Sequence, residues 1–138
     1  IYPNQNKLII DAGTCITYDF VNAENQYLGG AISPGIKIRY KSLNNYTSKL
    51  PLLTLSEDFE IIGNSTQSSI HSGVINGVIF EIEGFISQYS LKNQDLTIIL
   101  TGGDAEFLAK RLKSTIFANS NFLLESLNLL SLYTQKND

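Results

Sequence analysis

The chain has 138 residues, a length that suits one domain. Hydrophobic residues make up 43% and charged residues 17%, so the chain can bury a core and is not of the disordered class. A net charge of -3 without any Lys/Arg cluster gives no nucleic-acid footprint. No apolar stretch reaches the ~20 residues of a membrane-spanning helix, and no signal-peptide pattern opens the chain. A cytoplasmic protein without nucleic-acid or membrane partners is the expectation.

Lys7 to Ile10 reads as a buried strand. Cys15 to Val21 alternates Ile16, Tyr18 and Phe20 against Thr17 and Asp19, the period of a second strand. The two form a hairpin about Ala12-Gly13. Cys15 lies inside the strand-like run, so a buried thiol is expected. A single cysteine also rules out an internal disulfide and a Cys-rich zinc site. "NAENQ" is a second turn and "YLGGAIS" a third strand. Gly29 and Gly30 weaken that strand and mark a close backbone approach. Pro34-Gly35 punctuates, Ile36 to Leu43 is helical, and "SKLPLLTLSEDFEIIGNST" is mostly loop.

Thr66 to Tyr89 is the clearest helix, with Ile70, Val74, Val78, Ile82 and Ile86 recurring every fourth residue. Asn64 or Ser65 can cap its start by accepting an orphan backbone N–H. Gly73 and Gly77 each cost roughly 1 kcal/mol against alanine there, so a neighbouring helix or a partner chain is expected to pack close. His71, the lone histidine, is assigned a structural role. Leu96 to Leu100 is a buried strand that ends in Thr101-Gly102-Gly103-Asp104. Ala105 to Leu112 is a helix, Ile116-Phe117 an edge strand, and Leu123 to Tyr133 a closing leucine-rich helix. The expected order is β-β-β-α-α-β-α-β-α.

Two of these turns bear on chemistry. Phosphate binding needs converging N–H groups, a hydroxyl and a metal for nucleotides. At the hairpin tip Gly13 allows a close backbone approach, Thr14 offers N–H and Oγ1, and Asp11 can face a cation directly or through its water. Asp and Gly also make ordinary hairpin turns. In the second turn, two glycines open the backbone to a ligand and the following helix presents N–H groups to an anion or a ribose. Asp104 is expected to be the N-cap of that helix.

A hairpin with Asp-x-Gly-Thr, followed much later by strand, Gly-Gly and helix, is the layout of one lobe of the actin-like ATPase superfamily. The implied fold is an α/β, ribonuclease H-like lobe: a three-stranded antiparallel start of a mixed sheet, then helices and further strands. The succession Asp-Ala-Gly-Thr (Asp11 to Thr14), Gly-Gly-Ala-Ile-Ser-Pro-Gly (Gly29 to Gly35), Asn-Ser-Thr-x-x-Ser-Ile-x-x-Gly (Asn64 to Gly73) and Thr-Gly-Gly-x-Ala (Thr101 to Ala105) resembles the type III pantothenate kinases. The likeness runs from Leu8 to about Leu132.

That resemblance implies transfer of the γ-phosphoryl of ATP to the primary hydroxyl of pantothenate, the first step towards coenzyme A. It implies ATP, Mg2+ and a monovalent cation, K+ or NH4+, and a homodimer. Asp11 would bind the cation and help with the phosphates, and Gly13 and Thr14 would touch phosphate. Thr101, Gly102 and Gly103 match the adenosine motif. Thr66 would contact pantothenate across the dimer interface, with Gly30 and Ile32 lining that pocket. The serine of Asn64-Ser65-Thr66 stands where the family often reads Asn-Thr directly, which leaves Ser65 as the alternative to Thr66.

Two family motifs do not occur in these 138 residues: the first phosphate motif, Asp-x-Gly-Asn-Thr, and Gly-x-Asp-Arg, whose Asp is the family's proposed general base. The expectation is therefore that residues 1–138 form a C-terminal lobe and that the base lies outside them. Two other readings compete: a non-catalytic regulator similar to the Bvg accessory factors, and another actin-like member such as a sugar kinase or polyphosphate phosphatase.

Overall fold

A computed structural model of the chain describes residues 4–57, 60–114 and 116–118. Its centre is one five-stranded mixed sheet, ordered β3-β2-β1-β4-β5. The strands are β1 (Asn6–Ala12), β2 (Cys15–Val21), β3 (Tyr27–Pro34), β4 (Leu96–Thr101) and β5 (Phe117–Ala118). The first three pair antiparallel, while β4 lies parallel to β1, and β5 parallel to β4. The three-stranded antiparallel start and the later strands are thus as the sequence predicts. The α/β class holds, and the closing helix expected over Leu123 to Tyr133 lies outside the described residues.

The middle position of β1 explains its near-continuous apolar run, since both faces are covered. Leu8, Ile10 and Ala12 enter the main core, and Ile9 joins Val21 and Ile99 on the opposite face. In β2 the alternation sends Ile16 and Tyr18 into the main core. The same alternation corrects the expectation for Cys15. It stands one residue before the inward Ile16, at the strand's start, and its thiol is exposed.

The helices are α1 (Ile36–Asn45), α2 (Thr66–His71), α3 (Gly77–Lys92) and the short α4 (Ala105–Ala109). Between α2 and α3, Ser72–Asn76 form a π-helical turn, so the single long helix read from the sequence carries a wider turn. Ile70, Val74, Val78, Ile82 and Ile86 line the core as their spacing predicts, and the wider turn buries Ile75 beside Val74. Ser65, rather than Asn64, caps α2: its hydroxyl accepts from the Ser68 amide, and Ser68 answers in a capping box. His71 does take a structural partner, its Nδ1 lying 2.7 Å from the Tyr40 hydroxyl.

At Gly73 and Gly77, where a neighbouring helix or a partner chain is expected to pack close, no neighbouring element of this chain does so among the described residues. A Cβ at either would meet nothing within 4 Å among the described residues. In β3 the two glycines do mark a close approach, but to the sheet itself. A Cβ on Gly30 would lie 1.4 Å from the Tyr18 carbonyl oxygen. Gly29 takes φ +104 where the β2–β3 register slips between Phe20 and Val21.

Candidate functional site

Three segments remote in sequence meet at the carboxyl ends of β1 and β4, the edge at which open α/β sheets bind ligands. The parallel register sets Asp11 opposite Thr101, and the antiparallel register sets Asp11 opposite Thr17 and Ala12 opposite Ile16. Gly13 and Thr14 form the hairpin tip. The Gly13 amide donates to the Cys15 carbonyl at 3.0 Å. Gly102, at φ +103, lies against Asp11: a Cβ there would stand 2.5 Å from Asp11 Oδ1 and 2.6 Å from the Ala12 carbonyl oxygen. The Asp104 amide then donates to that carbonyl at 3.0 Å, which pins the start of α4 to the end of β1. The two glycine turns are therefore one structure.

The third segment is Pro34-Gly35, which the local pattern marks as punctuation and the family resemblance includes as the end of Gly29 to Gly35. The Gly35 amide donates to the Thr14 carbonyl at 3.0 Å. A Cβ on Gly35 would lie 2.1 Å from the Gly13 carbonyl oxygen and 2.4 Å from that of Thr14. Gly35 thus braces the hairpin tip, and only a residue without a side chain fits. Its local sequence pattern carries no sign of this contact, which arises between strand ends.

Burial is costly for the polar side chains at this edge. Burial, and then the charge of Asp19, push the Asp11 carboxyl above the ordinary carboxylate range. Burial also raises Asp104, against the pull of Lys37 on α1. The Thr101 hydroxyl is fully buried with no hydrogen-bond partner among the described residues. A carboxylate held at a cost, backbone carbonyls and a bare hydroxyl are the hard oxygen donors that alkali and alkaline-earth cations take. Among the described residues no group of three or more His, Cys, Asp or Glu is arranged to hold a metal by itself. The donor set thus suits an ion that a ligand's phosphate oxygens would complete.

The second turn departs from expectation in two ways. Asp104 occupies the N-cap position of α4, but its side chain makes no cap hydrogen bond. The first amides of that helix are also partly used, since Asp104 donates to Ala12 and Ala105 donates to Gly102. The open backbone lies at Gly103, where a Cβ would meet nothing within 4 Å.

Thr66, Gly30 and Ile32 lie elsewhere. Thr66 starts α2 and lines an open groove of about 660 Å³ with Leu43, Leu50, Asn64, Ser65 and Gly73. Ser65 and Ser68 use their hydroxyls on each other and on the cap, and Ser65, Thr66 and Ser69 all line the groove. Gly30 and Ile32 sit on the outer strand β3, with Ile32 78% exposed, and neither lines that groove. Within the described residues Thr66 is not brought together with them.

Comparison with known proteins bears on this arrangement. A sequence model of type III pantothenate kinase matches residues 1–88. The chain is similar to the type III pantothenate kinase of Flavobacterium johnsoniae, 62% identical over 137 residues, covering 99% of this chain and 56% of the relative. The Flavobacterium psychrophilum enzyme of that name is 66% identical over 132 residues, covering 96% and 55%. That of Christiangramia forsetii is 57% identical over 129 residues, covering 94% and 53%. The chain therefore spans about half the length of the curated relatives it matches. Among solved structures, a conserved Campylobacter jejuni protein described as a Baf family transcriptional activator superposes with a TM-score of 0.64. It is 22% identical, and the match covers 95% of this chain and 60% of that one; at this identity it shows a shared α/β fold. With the sequence model matching well over half its length, the chain belongs to the type III pantothenate kinase family.

Proposed function

We propose that the protein carrying this chain transfers the γ-phosphoryl group of ATP to the primary hydroxyl of pantothenate. Residues 1–138 then form its C-terminal lobe, a ribonuclease H-like lobe of the actin-like ATPase kind. One observation carries the reading: Asp11, Gly13 and Thr14 share one sheet edge with Thr101, Gly102 and Gly103. The relatives' shared name supplies the substrate class.

In this reading the chain's own residues position and neutralise. Gly13 and Thr14 hold the phosphates at the hairpin tip, and Gly103 leaves room for the nucleoside beside Thr101 and Gly102. Asp11 would hold the monovalent cation, K+ or NH4+, whose charge would offset that of the phosphates. Bound Mg2+ would neutralise charge that develops on the phosphoryl oxygens. Phosphoryl transfer depends chiefly on such positioning and charge neutralisation. The base that accepts the pantothenate proton belongs to the Gly-x-Asp-Arg motif, which does not occur among these residues. Thr66 contacts pantothenate across a homodimer interface, opposite a pocket lined by Gly30 and Ile32 of the other subunit. The protein works in the cytoplasm.

The test is coupled ADP release by the full-length protein. Release that requires both ATP and pantothenate, and that collapses in Asp11→Asn, supports the reading. Nucleotide binding without pantothenate-dependent release would replace it with a regulatory role, and release with a sugar alone would point to another actin-like kinase.

A further inference from the structure

Glu81 projects from α3 into a polar cluster that the site described above does not use. Its Oε2 accepts from the Tyr18 and Ser33 hydroxyls, each at 2.6 Å, and its Oε1 accepts from Arg39 Nη2 at 2.6 Å. Arg39 also donates through Nε to the Pro34 carbonyl at 2.8 Å. One carboxylate therefore ties β2, β3, α1 and α3 together. All its bonds are charge-assisted, the stronger kind.

The cluster is directional. Ser33 and Pro34 are the last two residues of β3, and both are fixed by it, Ser33 directly and Pro34 through Arg39. The next residue is Gly35, whose amide holds Thr14 and whose Cα lies against the Gly13 and Thr14 carbonyls. Gly35 also accepts the Arg39 amide at 3.1 Å, so the guanidinium and the backbone of one residue clamp both sides of the bend. Any shift of the β3 end is passed to the hairpin tip, because there is no spare space between them. A partly buried ion pair is weak grounds for a role in stability, since apolar residues of like volume often serve as well. What an apolar residue could not supply here is a fixed direction for Ser33 and Arg39.

We propose that Glu81 is a positioning residue for the phosphate turn, acting through Ser33, Arg39 and Pro34-Gly35 to set Gly13 and Thr14. The proposal rests on the reading of that turn as a nucleotide-phosphate site.

The test compares full-length wild type with E81Q, S33A and E83Q by calorimetric titration with ATP, steady-state kinetics and thermal melting. Gln keeps the shape of Glu81 but turns an amide or a neutral oxygen to Arg39 and frees the bend. E81Q should weaken ATP binding roughly tenfold, the scale of one charge-assisted hydrogen bond, with the pantothenate KM within about twofold of wild type. S33A removes one hydroxyl beside the bend and should weaken ATP binding in the same direction by less. Glu83, on the same helix, holds the Lys113 and Ser114 amides instead. E83Q should lower the melting temperature without moving ATP affinity. Melting losses in E81Q with ATP affinity unchanged would overturn the proposal, and so would an unchanged S33A if E81Q fails to fold. Wild type that binds ATP but releases no ADP with pantothenate would sink the kinase reading alone, leaving Glu81 to be judged on ATP affinity. Wild type that binds no ATP would overturn both.

Discussion

Asp11 and Thr101 stand opposite one another where the parallel strands β1 and β4 end. One is a carboxyl that burial and Asp19 make costly to ionise, and the other is a buried hydroxyl without a hydrogen-bond partner among the described residues. Each costs free energy on its own. In the proposed reading a cation and a polar ligand at this edge would relieve both, as binding sites store unfavourable interactions for a ligand to satisfy.

Asp11→Asn should therefore separate stability from binding. A raised folded-state pKa stabilises the protonated form: that contribution is present below the unfolded value of 3.8 and is lost as pH rises through the folded value. At neutral pH Asp11 carries its charge at a cost, and the neutral amide removes it. The variant should melt at or above the wild-type temperature at pH ~7, with the difference shrinking towards pH ~3, while binding ATP and the monovalent cation more weakly. A lower melting temperature at neutral pH would show that the carboxylate is structural.

Gly102 and Gly103 should part company on alanine substitution. At Gly102 the positive φ and the 2.5 Å approach to Asp11 Oδ1 both oppose a Cβ, so Gly102→Ala should cost on the order of 1–3 kcal/mol and displace the Asp11 carboxylate. Gly103 has open space. Gly103→Ala should melt like wild type and lose only ATP affinity. Denaturant titration beside nucleotide titration checks both, and equal stability losses would remove Gly103 from the nucleoside path.

How much of this was legible beforehand follows from the range of the interactions. The strands, the core stripe from Ile70 to Ile86 and the two glycine turns are written in local periodicity and turn chemistry, and so they were readable. That Asp11 meets Gly102 depends on a parallel pairing between strands some ninety residues apart, which only the likeness to a family anticipated. Gly35 and Glu81 had no local signal at all: one looks like a turn residue and the other like the solvent face of a helix. Cys15 misled because a strand's first residue need not share its buried face. The cost of a helical glycine at Gly73 and Gly77 shows that a reason exists without saying which: no helix of the described residues packs against them, and the partner-chain alternative belongs to the proposed homodimer.

Glu81 predicts an acid limit. Burial raises its carboxyl, but the bonds from Ser33, Tyr18 and Arg39 and the Arg39 charge outweigh that, and the net shift is downward from 4.5. A depressed folded-state pKa contributes stability above the unfolded value and loses it as pH falls through the folded one. The wild type should therefore lose more melting temperature than E81Q between pH ~5 and pH ~3, although E81Q starts lower. Parallel curves over that range would mean that the cluster does not hold its charge.

Thr66 and Ser65 divide the groove end of α2 between function and stability. Ser65 closes the capping box with Ser68, so Ser65→Ala should cost about 1 kcal/mol of stability. Its pantothenate KM should stay near wild type. Thr66 has no part in the cap and faces the groove. Thr66→Ala should keep the melting temperature and raise the pantothenate KM roughly fivefold or more, with the ATP KM unchanged, the pattern of a lost substrate contact. The comparison uses the full-length protein. Equal rises in both KM values would take Thr66 out of the pantothenate site. A pantothenate defect in Ser65→Ala with a silent Thr66→Ala would move the contact one residue back, to the serine that separates Asn64 from Thr66.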